Sequence, residues 1–148
     1  MADKRISELT APGALTGAEV FPLVQAGATY KGTTKDVAKF GYQDIVTDAT
    51  VARTLALTDR GAYIRFTGTA AIALTVPTNA TVAFAIGETL NGIQAAAGQI
   101  TIAGASGVTI NKPSDYLAKT RVAGSPWCLI KVAADAWDLI GDLEATPV

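Results

Sequence analysis

The chain has 148 residues, enough for one modest domain with a buried core and a short appendage. Its 12 basic and 13 acidic side chains form no basic stripe, which argues against nucleic acid and membrane surfaces as partners. Histidine is absent and Cys128 is the single cysteine, which excludes an internal disulfide, a zinc site of His or Cys ligands and a Ser-His-Asp triad.

Charged residues make up 17% of the chain, against roughly 25% in ordinary soluble domains. Two explanations stay open at this point: sister subunits cover part of the surface, or a surface rich in Thr and Ala keeps the protein soluble. The first residues carry no apolar signal-peptide core, and no apolar run reaches the length of a membrane span. We therefore expect synthesis and folding in a reducing cytoplasm.

The first 45 residues are predicted to form a small attachment segment. Residues 19–25 and 29–32 predict a hairpin around Ala26-Gly27, and residues 35–40 predict a short helix that Thr33 or Thr34 caps. A helix of under two turns is unstable alone, so this segment must pack on something else. Residues 41–48 read as a polar connector, which divides the chain into segments 1–45 and 46–148.

Short strand signals follow one another after residue 50. Apolar residues alternate with polar ones, as a half-buried sheet requires, and Gly, Pro and Asn separate the runs. Three hairpins are predicted: 54–58 with 62–67, 99–102 with 108–110, and 127–132 with 136–143. Single strands are predicted at 72–76, 82–86, 89–94 and 116–122. The fold class is all-β, either a β-sandwich or a jelly-roll-like domain.

Acidic residues concentrate only near the C-terminus, at Asp135, Asp138, Asp142 and Glu144. The alternation of Asp138 and Asp142 with apolar neighbours predicts a solvated strand face, and the spacing does not match an EF-hand loop. A glycoside hydrolase needs only two carboxylates, so a minimal Asp/Glu hydrolase stays open as a minor alternative. We expect no enzyme activity, no cofactor and no metal site.

Three aromatic residues are candidates for contact with a glycan. Trp127 and Trp137 flank the turn of the last predicted hairpin, and Tyr116 lies on a predicted strand. Exposed, these rings would form a sugar-stacking surface; buried, they are ordinary core. The surrounding Leu129, Leu139 and Ile140 favour the core for the two tryptophans.

Four short motifs near the N-terminus follow one another in a fixed order. They are Ile6-Ser7-Glu8-Leu9, Leu15-Thr16-Gly17-Ala18-Glu19, Pro22-Leu23-Val24-Gln25 and Lys35-Asp36-Val37-Ala38. This run resembles the attachment segment that begins many tail and capsid accessory proteins of tailed bacteriophages. The stretches 54–58, 63–66, 74–77, 99–102, 107–111, 129–132 and 137–143 look like the β domain that often follows it.

The resemblance implies a non-enzymatic virion structural protein, assembled in the host cytoplasm. A capsid decoration (cement) protein or a short head fibre fits a chain too short for a shaft and a tip. Such proteins form homotrimers and contact the major capsid protein or other virion proteins. Carried over to this chain, docking falls to Ile6, Leu9, Leu15, Val20, Leu23, Val24, Val37 and Phe40.

A second hypothesis is a trimeric carbohydrate-binding module of a tail fibre or adhesin, with bacterial polysaccharide as its partner. It requires an exposed face of aromatic or amide side chains, drawn from Asn91, Tyr116, Trp127 and Trp137. No feature of the sequence distinguishes a head location from a neck or tail location.

Overall fold

The computed structural model describes the backbone of residues 20–25, 28–33 and 43–147, and the side chains of residues 43–147. Two compact units are present, Met1–Tyr42 and Gln43–Val148. In the first unit, β1 (Val20–Gln25) pairs antiparallel with β2 (Ala28–Thr33), which confirms the predicted hairpin around Ala26-Gly27. The predicted helix at 35–40 lies outside the described residues.

The second unit is a β domain of two mixed sheets, with no α-helix among its described residues. The only helical element described there is a short 3-10 turn at Leu57–Asp59. Its strands are β3 (Asp44–Asp48), β4 (Ala52–Thr54), β5 (Ala62–Phe66), β6 (Ile72–Val76), β7 (Thr89–Gln94), β8 (Ile100–Gly104), β9 (Thr109–Asn111), β10 (Tyr116–Thr120), β11 (Pro126–Ala133), β12 (Ala136–Gly141) and β13 (Leu143–Ala145).

One sheet has six strands in the order β3-β5-β7-β11-β12-β9, and the other has five in the order β13-β10-β8-β6-β4. From β3 to β11 each successive strand lies in the opposite sheet, so the chain winds around the core. Strands two apart in sequence run parallel from β3 to β8: β3, β5 and β7 in one sheet, and β4, β6 and β8 in the other. Beyond β8 the pairing changes, because β10 runs antiparallel to β8 and β11 antiparallel to β7. The architecture is a β-sandwich.

Parallel pairing overturns two of the predicted hairpins. The predicted strand 54–58 contains only the end of β4 and the start of the 3-10 turn, and β4 lies in a different sheet from β5. Strands β8 and β9 also lie in different sheets, so neither predicted hairpin forms. Parallel pairing also excludes a jelly roll, because the strands of a jelly roll pair antiparallel. The β11–β12 hairpin is confirmed, with Leu129 opposite Leu139.

Two more local predictions are wrong. The predicted connector at 41–48 contains strand β3, whose five residues pair with β5. Residues 82–86 form no strand; Phe84 turns into the core there while Ile86 stays 70% exposed. Pro77 ends β6 and the chain needs residues 77–88 to cross to the other sheet, so the apolar run serves as a loop.

The core lies between the two sheets. Inward side chains alternate along each strand, as in β5, where Ile64 and Phe66 are fully buried. The buried polar side chain of Gln94 is satisfied, since its Oε1 accepts from Thr120 at 2.6 Å and its Nε2 donates to the Ala96 carbonyl at 3.0 Å. The core residues are Leu55, Ile64, Phe66, Ile72, Leu74, Val76, Phe84, Leu90, Ile100, Ile102, Trp127, Leu129, Trp137, Leu139 and Leu143.

Candidate functional site

The residues assigned to docking by resemblance fall in the first unit. Val20, Leu23 and Val24 lie on β1, whose backbone is described. The remaining five, Ile6, Leu9, Leu15, Val37 and Phe40, lie outside the described residues.

Both tryptophans are core residues, as the flanking leucines predict. Each is 1% exposed; Trp127 lies beside Phe66, and Phe84 meets Trp137 edge-on with ring centroids 5.4 Å apart. Neither indole offers a face to a glycan, so these two residues are removed from the candidate glycan contacts. Tyr116 is 41% exposed and remains a candidate for contact with a glycan.

The C-terminal acidic residues do not converge on a catalytic pair. Asp135 accepts from the Asn79 amide, Asp138 from Asn111 Nδ2, and Glu144 from Gln99 Nε2. Asp142 accepts from Arg121 and from Ser125, and the hydrogen bond from Arg121, followed by that from Ser125, lowers its pKa. Each carboxylate has a separate structural partner, so the group holds the edges of the sheets together.

A second charged group links β3, β4 and the short 3-10 turn. The Arg53 guanidinium bridges Asp48 at 2.7 Å and Asp59 at 2.5 Å, and both carboxylates are buried. Burial by itself raises the pKa of Asp48, but hydrogen bonds from Thr50 and Arg53 outweigh it and leave the pKa below its ordinary value. Burial lowers the pKa of Arg53, but its hydrogen bonds to Asp48 and Asp59 outweigh that effect and raise the pKa above its ordinary value. This arrangement is a structural clamp.

Lys131 is the buried cation of the six-stranded sheet. Its Nζ donates to Asn79 Oδ1 and to the Phe84 carbonyl. The same Nζ lies 5.8 Å from the centre of the Trp137 ring. With both acceptors contributed by the loop 77–88, the lysine fixes that loop on the core. Its position and partners indicate a structural role.

The outer surface of the six-stranded sheet is the largest unusual feature of the domain. A row of outward side chains crosses five strands in register: Ile45, Tyr63, Asn91, Cys128 and Ile140. Ile45 is 63% exposed and Ile140 is 57% exposed. Next to this row lie Arg65, Ile93 and Ile130, and we call these eight residues the six-strand face. Thr47, Thr89 and Asp138 lie in register beside Arg65 and Ile130 on the same side, so this surface is apolar only in part.

The opposite surface of the sandwich is chemically different. Outward positions of the five-stranded sheet carry small or polar side chains, and we call these residues the five-strand face: Thr54, Ala73, Thr75, Thr101, Ala103 and Lys119. This face is an ordinary solvated β surface. Of the two explanations for the low charge content, the polar Thr and Ala surface thus describes one side of the domain and apolar residues the other.

A cleft of about 370 Å³ opens at the end of the six-strand face. Strand β9 pairs with β12 only as far as Asp138, so Leu139–Gly141 have no strand neighbour on that side. The chain from β9 to β10 crosses beyond this point, and Lys112, Pro113 and Tyr116 form the opposite wall. We call this space the β12 cleft.

Within the described residues, no three His, Cys, Asp or Glu side chains are placed to hold a metal ion. The only described thiol, Cys128, has a pKa that burial raises, which disfavours the reactive thiolate. Of the helices in the described part of the chain, none is long and apolar enough to cross a membrane.

Three comparisons with known proteins found no match. No family model matches the sequence, no curated protein resembles it significantly, and no solved structure matches it significantly.

Proposed function

We propose that the chain is a non-enzymatic structural protein of a tailed-phage particle, a capsid decoration protein or a short head fibre. In this proposal the first unit docks on the virion, and the β domain associates with further copies of itself as a homotrimer. The phage context is supported only by the resemblance of the N-terminal motifs and of the β-domain stretches that follow them. The association is supported by one structural observation, the exposed isoleucines of the six-strand face.

The chemical contrast between the two faces carries the argument for association. Side chains such as Ile45 and Ile140 gain stability when water is removed from them, whereas the small and polar five-strand face does not. A contiguous exposed apolar patch on a domain of this size marks an interaction site more often than a solvated surface. Copies of the same chain are the occupant that also explains the low charge content.

The size of the face sets the expected strength of association. The face crosses five strands that lie about 4.8 Å apart, and along each strand it spans about five residues of about 3.3 Å each. These dimensions give a flat area of roughly 400 Å². Standard interfaces bury about 800 Å² per partner, so this face alone supports weak association. Attachment of several copies to one particle then adds strength by multivalency.

Light scattering on the purified full chain tests the association. We expect a mass of three chains at high concentration that falls towards the 15.2 kDa monomer on dilution. The double variant Ile45→Lys/Ile93→Lys places charge on the six-strand face and should be monomeric at all concentrations. Its matched control, Ala73→Lys/Thr101→Lys on the five-strand face, should keep the wild-type mass; equal masses for all three proteins would contradict the proposal.

Immunogold microscopy of phage particles tests the virion role. With antibody against residues 43–148, label over the head supports a decoration protein, and label at the neck or tail supports a short fibre. Purified particles that carry the chain's gene but no label would contradict the virion role, whatever the oligomeric state.

A further inference from the structure

We propose that the β12 cleft binds a hydroxylated sugar ring, one unit of a glycan, with Tyr116 as its stacking platform. This inference does not rest on the virion role or on the trimer. It starts from the cleft itself, which is present because β9 ends early and leaves part of β12 without a neighbour.

The walls of the cleft are amphipathic in the way that a pyranose ring is. Tyr116 and Pro113 form one apolar side, and Ile140 and the buried Leu143 form another. A sugar ring presents apolar C–H faces and a polar rim of hydroxyl groups. An aromatic ring that is 41% exposed at the wall of a cleft is suited to pack on such a C–H face.

Polar side chains are also among the residues that line the cleft. Asn111 Nδ2 donates to Asp138 Oδ1 at 2.8 Å, which fixes both side chains. That hydrogen bond leaves the amide oxygen of Asn111 and the second carboxylate oxygen of Asp138 as acceptors for hydroxyl protons. Lys112 lines the same cleft, and its ammonium group is a donor. The lining residues therefore include both acceptors and a donor for a hydroxyl group.

The size and the strand edge favour a sugar over a peptide. The cleft, about 370 Å³, lies at the small end of the range for ligand pockets, roughly 300–1,000 Å³. A peptide that adds a strand gains affinity from main-chain hydrogen bonds along an edge, and strands typically have about 5–6 residues. The free edge of β12 here offers only Leu139–Gly141, which is too short to hold an extended segment firmly.

Amide-resolved NMR on the full chain tests the proposal with methyl glycosides of glucose, galactose, mannose, rhamnose and N-acetylglucosamine. At sugar concentrations up to about 50 mM, above the millimolar Kd of a shallow site, at least one glycoside should shift the amides around Asn111, Tyr116 and Ile140. Tyr116→Ala should weaken that binding by about fivefold to tenfold. The control, Val122→Ala, removes an exposed side chain that belongs neither to the cleft nor to the six-strand face, and should leave the Kd unchanged.

Three results would overturn the inference. The first is that none of the five glycosides shifts these amides in the folded protein. The second is equal weakening by Tyr116→Ala and Val122→Ala, which would show that the effect is not specific to the cleft. The third is a short apolar peptide that occupies the cleft while every glycoside fails, which would make the cleft a strand-addition site.

Discussion

Buried charge is the clearest example of how single residues shape this domain. Asp48 and Asp59 are 7% and 3% exposed, and both depend on Arg53 for compensation. A buried ion pair adds little net stability, but a buried carboxylate without its partner is strongly destabilising. The Arg53 guanidinium is therefore required for the two carboxylates to stay buried. Sequence spacing gave no sign of this clamp, because its three members lie on β3, β4 and a 3-10 turn, and β3 was predicted as a connector.

Acid is expected to weaken the clamp. The pKa of Asp48 is lowered in the folded state, so its contribution is fully present above the unfolded pKa of about 3.9 and is lost as the pH falls through the lower folded value. The free energy of unfolding should therefore decrease below about pH 4. In Asp48→Asn this decrease should be shallower, and stability at neutral pH should be lower by about 1–3 kcal/mol because a charged acceptor is lost.

Urea unfolding curves between about pH 3 and pH 6 measure both effects. Thr50→Val serves as a graded control, because it removes the hydroxyl that donates to Asp48 at 2.6 Å but keeps the carboxylate and Arg53. Its pH dependence should lie between those of wild type and Asp48→Asn. Three parallel curves would show that Asp48 does not carry the acid response.

At the scale of elements, the alternation of strands between sheets brings backbones into close approach. Gly92 on β7 lies between Ile64 of β5 and Trp127 of β11. A Cβ built on Gly92 would lie 2.1 Å from the Ile64 carbonyl oxygen and 2.8 Å from the Trp127 ring. Glycine at this position is therefore required by the packing of three strands, and the turn signals of the sequence do not reveal it.

Gly92→Ala should destabilise the domain by about 3 kcal/mol, at the upper end of overpacking costs. The control is Gly61→Ala, where φ is 68° but the new Cβ meets nothing within 4 Å. That variant carries only the left-handed backbone cost of about 1 kcal/mol. Thermal unfolding of both compares them, and an equal loss of stability would argue against the close approach at Gly92.

For the whole molecule, the chemical difference between its two faces is the property that connects fold to function. Cys128 lies in the central row of the six-strand face, so its thiol reports whether that face is covered. Burial also raises the pKa of this thiol, so the reaction is followed under mildly alkaline conditions.

Thiol labelling should be several-fold slower in the wild-type protein at high concentration than in Ile45→Lys/Ile93→Lys. On dilution the wild-type rate should approach that of the variant, because weak association is lost. Unfolded protein gives the unprotected rate for both. If wild type and variant react equally fast at every concentration, the six-strand face is not the surface that copies cover.

The pattern of the sequence by itself determined the β class, the N-terminal hairpin, the β11–β12 hairpin and the burial of both tryptophans. These features depend on local turns and on a period of two, which assigns each side chain to one side of its strand. The tertiary structure decided which strands pair, and therefore the mixed sheets, the row from Ile45 to Ile140 and the cleft beside β12. Pairing between β5 and β7 joins residues 28 apart, such as Tyr63 and Asn91, and alternation within each strand is identical for a parallel or an antiparallel neighbour.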